Sequence, residues 1–180
     1  GKNRYTPTQG IPELRERIGR YEKSRGHAGA ENVIVTSGVS GGILLALMAL
    51  IDPGDEVIVA DPWFVIYPPV IRFLGGIPIF IDTYPDFQMD PDLVRRAITR
   101  RTKAIIVNSP ANPTGAVLSE DRARMIAEIA SKRGITLISD EIYDGVFYEK
   151  RPVSPARYGE TALVLNGFSK SLAMTGWRVG

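Results

Sequence analysis

The sequence of 180 residues contains no cysteine and a single histidine, His27. Without thiols the chain can form no disulfide, no thiolate metal site and no cysteine nucleophile. A single histidine also argues against a histidine-rich metal site and against a serine–histidine–aspartate triad. The composition therefore excludes thiol chemistry and predicts no metal site.

Long apolar runs and an excess of one charge are also missing. No apolar run approaches the ~20 residues that a membrane helix needs, and no apolar signal region follows the first four residues. The chain has 22 basic and 20 acidic side chains, a net charge of +2, which creates no general field for nucleic acid or membrane. We therefore expect neither partner, and we expect the cytoplasm as the compartment.

Amphipathic stretches of helical period alternate with short runs of valine and isoleucine. Because these runs are hydrophobic almost throughout, they indicate strands covered on both faces, as in a mostly parallel sheet of an α/β fold. Predicted strands are 33–35, 57–59, 77–81, 104–107, 135–138 and 162–165. Helices are predicted to begin at Pro12 and near Ser40, and a third is predicted over 65–74. Two more are predicted to begin after the N-cap residues Asp90 and Ser119. The chain starts within a loop and stops at 177–180, which reads as the start of another strand, so we expect a fragment.

Polar and glycine-rich segments follow four of the predicted strands. In open α/β sheets, ligands bind at the carboxyl ends of the strands. The turn 36–42 (Thr-Ser-Gly-Val-Ser-Gly-Gly) leads into a helix and suits a phosphate, although a plain tight turn explains it equally well. The stiff loop 108–115, an aspartate and a tyrosine in 139–143, and a lysine in 166–170 follow the other three strands. Their convergence predicts a binding site at this edge.

Three of these motifs resemble the large domain of class I/II aminotransferases, the fold-type-I group of pyridoxal-phosphate enzymes. They are 112–115 (Asn-Pro-Thr-Gly), 139–143 (Ser-Asp-Glu-Ile-Tyr), and Ser169-Lys170 with 174–180 (Met-Thr-Gly-Trp-Arg-Val-Gly), and their order and spacing match the family. The resemblance covers nearly the whole chain. It implies a three-layer α/β/α domain over residues 1–180, truncated at both ends, with the N-terminal arm and the C-terminal small domain absent.

The resemblance implies roles for four residues around the reactive part of the cofactor, pyridoxal 5'-phosphate. Lys170 would form the Schiff base and later move the proton between the substrate α-carbon and the cofactor. Asp140 would pair with the pyridine nitrogen, which keeps the ring protonated. Asn112 and Tyr143 would donate hydrogen bonds to the ring oxygen. Glu141 and Asp144 would face solvent or structural partners.

The remaining implied contacts concern the phosphate and the ring face. Arg178 would grip the phosphate with a planar fork, and the helix start formed by Gly38, Val39 and Ser40 would complete the cup. Phe64 aligns with the family's stacking aromatic, with Trp63 as second choice.

Tyr5 matches a segment that reaches the phosphate of a neighbouring subunit, so the resemblance implies a homodimer with shared sites. One departure is Gly167, where many relatives carry a phosphate-binding serine; Ser169 is a possible replacement. The family's arginine for the substrate carboxylate lies in the small domain, outside this sequence.

The resemblance implies transfer of an amino group from an L-amino acid, of aspartate or aromatic type, to a 2-oxo acid. A lyase of the same fold, such as a β-C–S lyase or an aminocyclopropane-carboxylate synthase, shares the lysine, aspartate and tyrosine. The aminotransferase-like sensor domain of a transcription regulator is a third alternative, which would need an upstream DNA-binding domain.

Overall fold

The computed structural model describes residues 4–27, 32–159 and 161–180. Five strands form one fully parallel sheet in the order β2-β1-β3-β4-β5. The strands are β1 Glu56–Asp61, β2 Ile77–Asp82, β3 Thr102–Asn108, β4 Thr136–Asp140 and β5 Ala162–Leu165. The helices are α1 Pro12–Ser24, α2 Gly38–Leu50, α3 Tyr67–Phe73, α4 Pro91–Ala97 and α5 Glu120–Arg133, with short 3-10 helices at Pro155–Tyr158 and Thr175–Trp177.

The predicted capping residues set the helix ends. The Ser119 side chain accepts a hydrogen bond from the Arg122 N–H at the start of α5, and Asp90 does the same for Asp92 at the start of α4. Gly134 ends α5 in the left-handed region, at φ 62°, a conformation that costs glycine little. Because these signals are local, the sequence alone is enough to predict the starts of α4 and α5 and the end of α5.

Helices cover both faces of the sheet and create two apolar cores. On one face, strand residues such as Ile105 pack with α4 and α5. On the other face, alternate strand residues such as Ile106 pack with Ile43 and Leu47 of α2 and with α3. Each such buried side chain contributes about 1.5–3 kcal/mol. The chain is therefore an α/β protein of three layers, as the hydrophobic runs predict.

The predicted strand at 33–35 is wrong. This segment belongs to no helix or strand and joins no ladder of the sheet, and the Val35 N–H donates instead to the Gln9 carbonyl at 2.9 Å. A short apolar run indicates an extended backbone but not a partner strand. The end of the chain also differs from the prediction, because Thr175–Trp177 is a 3-10 helix and Val179 forms only an isolated antiparallel bridge with Ser37. The two segments thus meet each other at the start of α2.

Within the described ranges, no helix combines the length and apolar character that crossing a membrane would need.

Candidate active site at the strand carboxyl ends

The order of the sheet reverses at β1, because β2 lies on one side of it and β3 on the other. Such a switch point leaves a crevice at the carboxyl ends of the strands. A cavity of about 200 Å³ lies at these ends. Its lining comes from α2, from the last residues of β3 and β4, and from segments that follow β1, β3, β4 and β5: Val39, Ser40, Phe64, Asn108, Asn112, Asp140, Ile142, Tyr143, Ser169, Lys170, Thr175 and Arg178.

A second cavity, of about 300 Å³, lies beside α4 and α5. Its lining consists of Arg95, Met125, Glu128, Ile129, Lys132 and Arg133. Lys132 is already paired with Glu128 at 3.7 Å, and the two side chains are 77% and 48% exposed. Because this lining includes none of the predicted site residues, we place the candidate site at the strand ends.

Asp140 is the last residue of β4 and is only 2% exposed. The Tyr67 hydroxyl donates to its Oδ2 at 2.7 Å, and the Ile142 N–H donates to its Oδ1 at 3.2 Å. Burial raises the pKa of Asp140 from 3.8 to about 6, although both hydrogen bonds lower it and the charge of Glu141 adds to the rise. Asp140 is therefore a buried carboxyl group that a cationic partner in the cavity would hold ionised.

Asn112 and Tyr143 lie side by side in the cavity, where the Asn112 Nδ2 is 3.5 Å from the Tyr143 hydroxyl oxygen. The loop of Asn112 is fixed by Asn108, whose Oδ1 accepts from the Asn112 N–H at 2.8 Å and whose Nδ2 donates to the Asp140 carbonyl at 3.0 Å. Two polar groups from different strand ends thus point to one place and can bind a single ligand oxygen.

Lys170 follows β5 in a tight turn, in which the Ala173 N–H donates to the Lys170 carbonyl at 3.1 Å. Its Nζ lies 5.6 Å from the centroid of the Tyr143 ring. The amine therefore shares the cavity with Tyr143 and Asp140, although the three residues come from two different strand ends. This arrangement suits covalent and proton-transfer chemistry by a lysine.

The start of α2 and the last residues of the chain form a cationic corner. The first turn, 38–41 (Gly-Val-Ser-Gly), contains no acidic side chain. Gly38 has φ 68°, and a Cβ there would lie 2.5 Å from Nη2 of Arg178. The Thr36 N–H donates to the Gly180 carbonyl at 2.7 Å, which holds 178–180 against the helix start. A helix N-terminus beside a guanidinium group is suited to bind a phosphate.

Glu141, next to Asp140, points away from the cavity into a buried charge network. Arg25 Nη2 lies 2.5 Å from its Oε2, while Arg25 Nη1 lies 3.3 Å from Asp144 Oδ2. The Ser139 and Ser154 hydroxyls both donate to its Oε1, at 2.8 Å and 2.5 Å. Glu141 and Asp144 therefore have structural partners, one of the two options the sequence left open.

The structure distinguishes between the two candidates for the aromatic residue that stacks on the cofactor. Phe64 lines the cavity, whereas Trp63 packs against Phe80 with ring centroids 4.5 Å apart and the ring planes tilted by 30°. Tyr5 is fully exposed and does not line the cavity of its own chain. At Gly167 a Cβ would meet the Val179 carbonyl oxygen at 3.1 Å and the Gly180 Cα at 3.2 Å, so a serine at this position would require 179–180 to shift by a few tenths of an ångström.

Sequence reasoning missed two polar residues of the site. The first is Tyr67, whose hydroxyl donates to Asp140. The second is Asn108, which the sequence places only in the stiff loop 108–115 and which fixes the position of Asn112. The available signal for Tyr67 was a tyrosine within an apolar helix, because a buried hydroxyl needs a partner.

The chain resembles known proteins over its full length. The family described as "Aminotransferase class I and II" matches residues 1–180. A Thermus aquaticus protein described as a probable aspartate/prephenate aminotransferase is 47% identical over 185 residues, covering 100% of this chain and 48% of that protein. The chain thus spans about half the length of the relatives that it matches.

Solved structures agree with the sequence match. A mutant of Thermus thermophilus aspartate aminotransferase superposes with a TM-score of 0.96 and 45% identity, covering 98% of this chain and 50% of that one. An alanine aminotransferase from Pyrococcus furiosus gives 0.95 and 40%, covering 100% and 47%. Class I and II aminotransferases depend on pyridoxal 5'-phosphate. From its sequence match and its fold, the chain belongs to the aminotransferase class I and II family.

Proposed function

We propose that residues 1–180 are the cofactor-binding domain of an enzyme that moves an amino group from an L-amino acid to a 2-oxo acid. The observation that carries this proposal is the meeting of Lys170, Asp140, Tyr143 and Arg178 in one cavity at the strand carboxyl ends. An amine, a buried carboxyl group, a phenol and a guanidinium group are the four kinds of group that this chemistry requires.

The residues present fit pyridoxal 5'-phosphate group by group. Arg178 and the start of α2, at Gly38, Val39 and Ser40, would bind the phosphate. Asn112 and Tyr143 would donate to the ring oxygen, and Phe64 would pack against the ring face. For the ring nitrogen the buried Asp140 is suited, because burial already raises the pKa of its carboxyl group to about 6 and a cationic ring would compensate its charge.

When bound, the cofactor supplies an electron sink for negative charge at the substrate α-carbon. Lys170 would hold the cofactor covalently through Nζ. After the substrate amine displaces it, the free amine of Lys170 would take the proton from the α-carbon and deliver it again. Asp140 would keep the ring nitrogen protonated, while Tyr143 and Asn112 would stabilise charge on the ring oxygen. Lys170 would thus transfer the proton, while Asp140, Tyr143 and Asn112 would stabilise charge on the cofactor.

The names of the relatives support aspartate as the first amino donor to test. A Thermus thermophilus relative, 46% identical, is called an aspartate/prephenate aminotransferase. These names also favour a transaminase over a lyase of the same fold or a sensor domain, since the relatives described above are all called aminotransferases.

An isotope-labelling experiment that follows the amino nitrogen of the donor distinguishes a transaminase from a lyase and from a sensor domain. The holoenzyme would be mixed with [15N]L-aspartate in a single turnover, and the label would be located before and after addition of a 2-oxo acid. We expect the label to stay with the protein and then to appear in a new amino acid. Release of labelled ammonia would support a lyase, and binding without turnover would support a sensor.

We further propose a homodimer with shared sites. Tyr5 is fully exposed, and Leu45 and Met48 are 53% and 58% exposed on helix α2, which has no charged side chain and is apolar from Ile43 to Leu50. A helical stretch that is apolar all round is normally buried, so a second subunit would cover this part of α2. In a hybrid dimer of Lys170→Ala and Tyr5→Phe subunits, one site would then contain both intact residues and recover full activity. If Tyr5 served its own subunit, the hybrid would keep the Tyr5→Phe defect.

A further inference from the structure

Tyr67 is a buried tyrosine that none of the roles above uses. It opens α3, is 2% exposed, and packs in the core between α2, α3 and the sheet. Its ring meets the edge of Phe64, with centroids 5.6 Å apart. Its hydroxyl donates to Asp140 Oδ2 at 2.7 Å, across 73 positions of the sequence. The contact joins the segment after β1 to the end of β4.

We propose that Tyr67 is a positioning residue, which holds the Asp140 carboxylate ionised and oriented toward the cavity. The inference rests on the proposed function only in assigning Asp140 to the ring nitrogen. With one oxygen held by the phenol and the other by the Ile142 N–H, the carboxylate cannot rotate without losing a hydrogen bond. A fixed acceptor needs no reorganisation when a ligand binds.

The direction of the hydrogen bond follows from the surroundings of the two groups. Burial, followed by the charge of Asp140, raises the pKa of Tyr67 well above 10.0, so the phenol keeps its proton and acts as the donor. Burial also raises the pKa of Asp140, whereas the phenol lowers it. The other titratable groups near the pair are Glu141 and Tyr143, and Lys170 and Arg178 line the same cavity. Removing the hydroxyl should therefore move Asp140 further toward its neutral form.

Tyr158 provides a matched control. Its hydroxyl donates to Glu120 at 2.7 Å, the same distance as in the Tyr67–Asp140 pair, but this contact is exposed and lies outside the cavity lining. Tyr67→Phe and Tyr158→Phe each remove one hydroxyl from a tyrosine–carboxylate pair. Any effect of losing a phenol in general would appear in both variants.

The test is a titration of the Asp140 carboxyl carbon by 13C NMR in the full-length protein after removal of the cofactor, with Asp140→Asn to assign the signal. We expect Tyr67→Phe to raise the midpoint by about one pH unit and Tyr158→Phe to leave it unchanged. If Tyr67→Phe does not fold, 3-fluorotyrosine at position 67 keeps the hydroxyl, makes it a stronger donor, and should lower the midpoint. An unchanged midpoint in the folded variant overturns the proposal.

A second readout uses the loaded enzyme. The acidic limb of the pH profile of kcat should move upward in Tyr67→Phe, and Tyr67→Phe should have little further effect in an Asp140→Asn background, because it acts through Asp140. Full additivity of the two substitutions would contradict the role. The NMR titration does not depend on turnover, so failure of the proposed transamination and failure of this inference give different results.

Discussion

Asp140 and Glu141 are neighbouring carboxyl groups with opposite partners. Asp140 lines the cavity and accepts from the Tyr67 phenol, whereas Glu141 lies 2.5 Å from the Arg25 guanidinium in the buried charge network. Both side chains are 2% exposed. Glu141 is therefore paired with a positive charge of the protein itself, whereas Asp140 is available to pair with a cationic group of a ligand.

Asp140→Asn should retain the shape of the site and lose most of the catalytic rate. The amide cannot hold a proton on the ring nitrogen, so we expect the first half-reaction to slow by at least about two orders of magnitude, roughly 3 kcal/mol of barrier. Asp140→Glu keeps the charge and should lose less. Stopped-flow absorbance measures the rate, and an Asp140→Asn rate within about threefold of wild type would refute the role.

The same residue should make the cofactor-free protein less stable as the pH rises. The folded-state pKa of Asp140 is about 6 and its ordinary value is 3.8, so between these values the folded state binds more protons than the unfolded state. Stability linked to Asp140 is thus fully present below pH ~3.8 and is lost as the pH rises through ~6, a change of about 3 kcal/mol.

Urea unfolding of the cofactor-free wild type and of Asp140→Asn, followed across this pH range, would measure that loss. We expect the substitution to stabilise the protein at pH ~7 and to have little effect at pH ~4. Equal pH dependence in the two proteins would show that Asp140 does not carry the shift.

Arg25 should contribute strongly to the stability of the fold although it lies outside the cavity lining. Arg25→Met leaves Glu141 and Asp144 buried without this guanidinium, and the loss of one partner from a buried pair costs about 3–5 kcal/mol. Arg20→Met within α1, the helix that Arg25 follows, is the control, because Arg20 pairs with Glu16 on the surface and such pairs contribute less than about 1 kcal/mol. Chemical denaturation measures both, and equal losses would contradict a structural role for the network.

Gly38→Ala should weaken cofactor binding. Both Gly38 and Gly134 have positive φ, but an added Cβ meets Arg178 at Gly38 and nothing within 4 Å at Gly134. Each substitution strains the backbone by about 1–2 kcal/mol, and Gly38→Ala should in addition displace the guanidinium from the helix start. For Gly38→Ala, and not for Gly134→Ala, we expect the Kd for the cofactor to rise at least about tenfold, which corresponds to about 1.4 kcal/mol. Titrating the absorbance of each variant with the cofactor measures this Kd. Similar Kd values for the two variants would separate Gly38 from the phosphate site.

The sequence predicted the features that depend on local signals. Hydrophobic runs located the five strands of the sheet, and capping residues such as Ser119 located the helix ends. The segment 33–35 carries the same signal as a strand, yet its neighbours in space decided its structure. The Tyr67–Asp140 contact joins residues 73 positions apart, and no periodicity encodes such a pairing. Phe64 and Trp63 are adjacent in sequence, and only the packing of Trp63 on Phe80 separates them.

The most direct test of the account is the identity of the lysine that holds the cofactor. The holoenzyme would be reduced with borohydride, digested and mapped by mass spectrometry, with Lys170→Ala treated in parallel. We predict a phosphopyridoxyl group on Lys170, and no adduct and only background multiple-turnover transamination in Lys170→Ala. An adduct on Lys103 or Lys132, with Lys170 unmodified, would contradict the central claim.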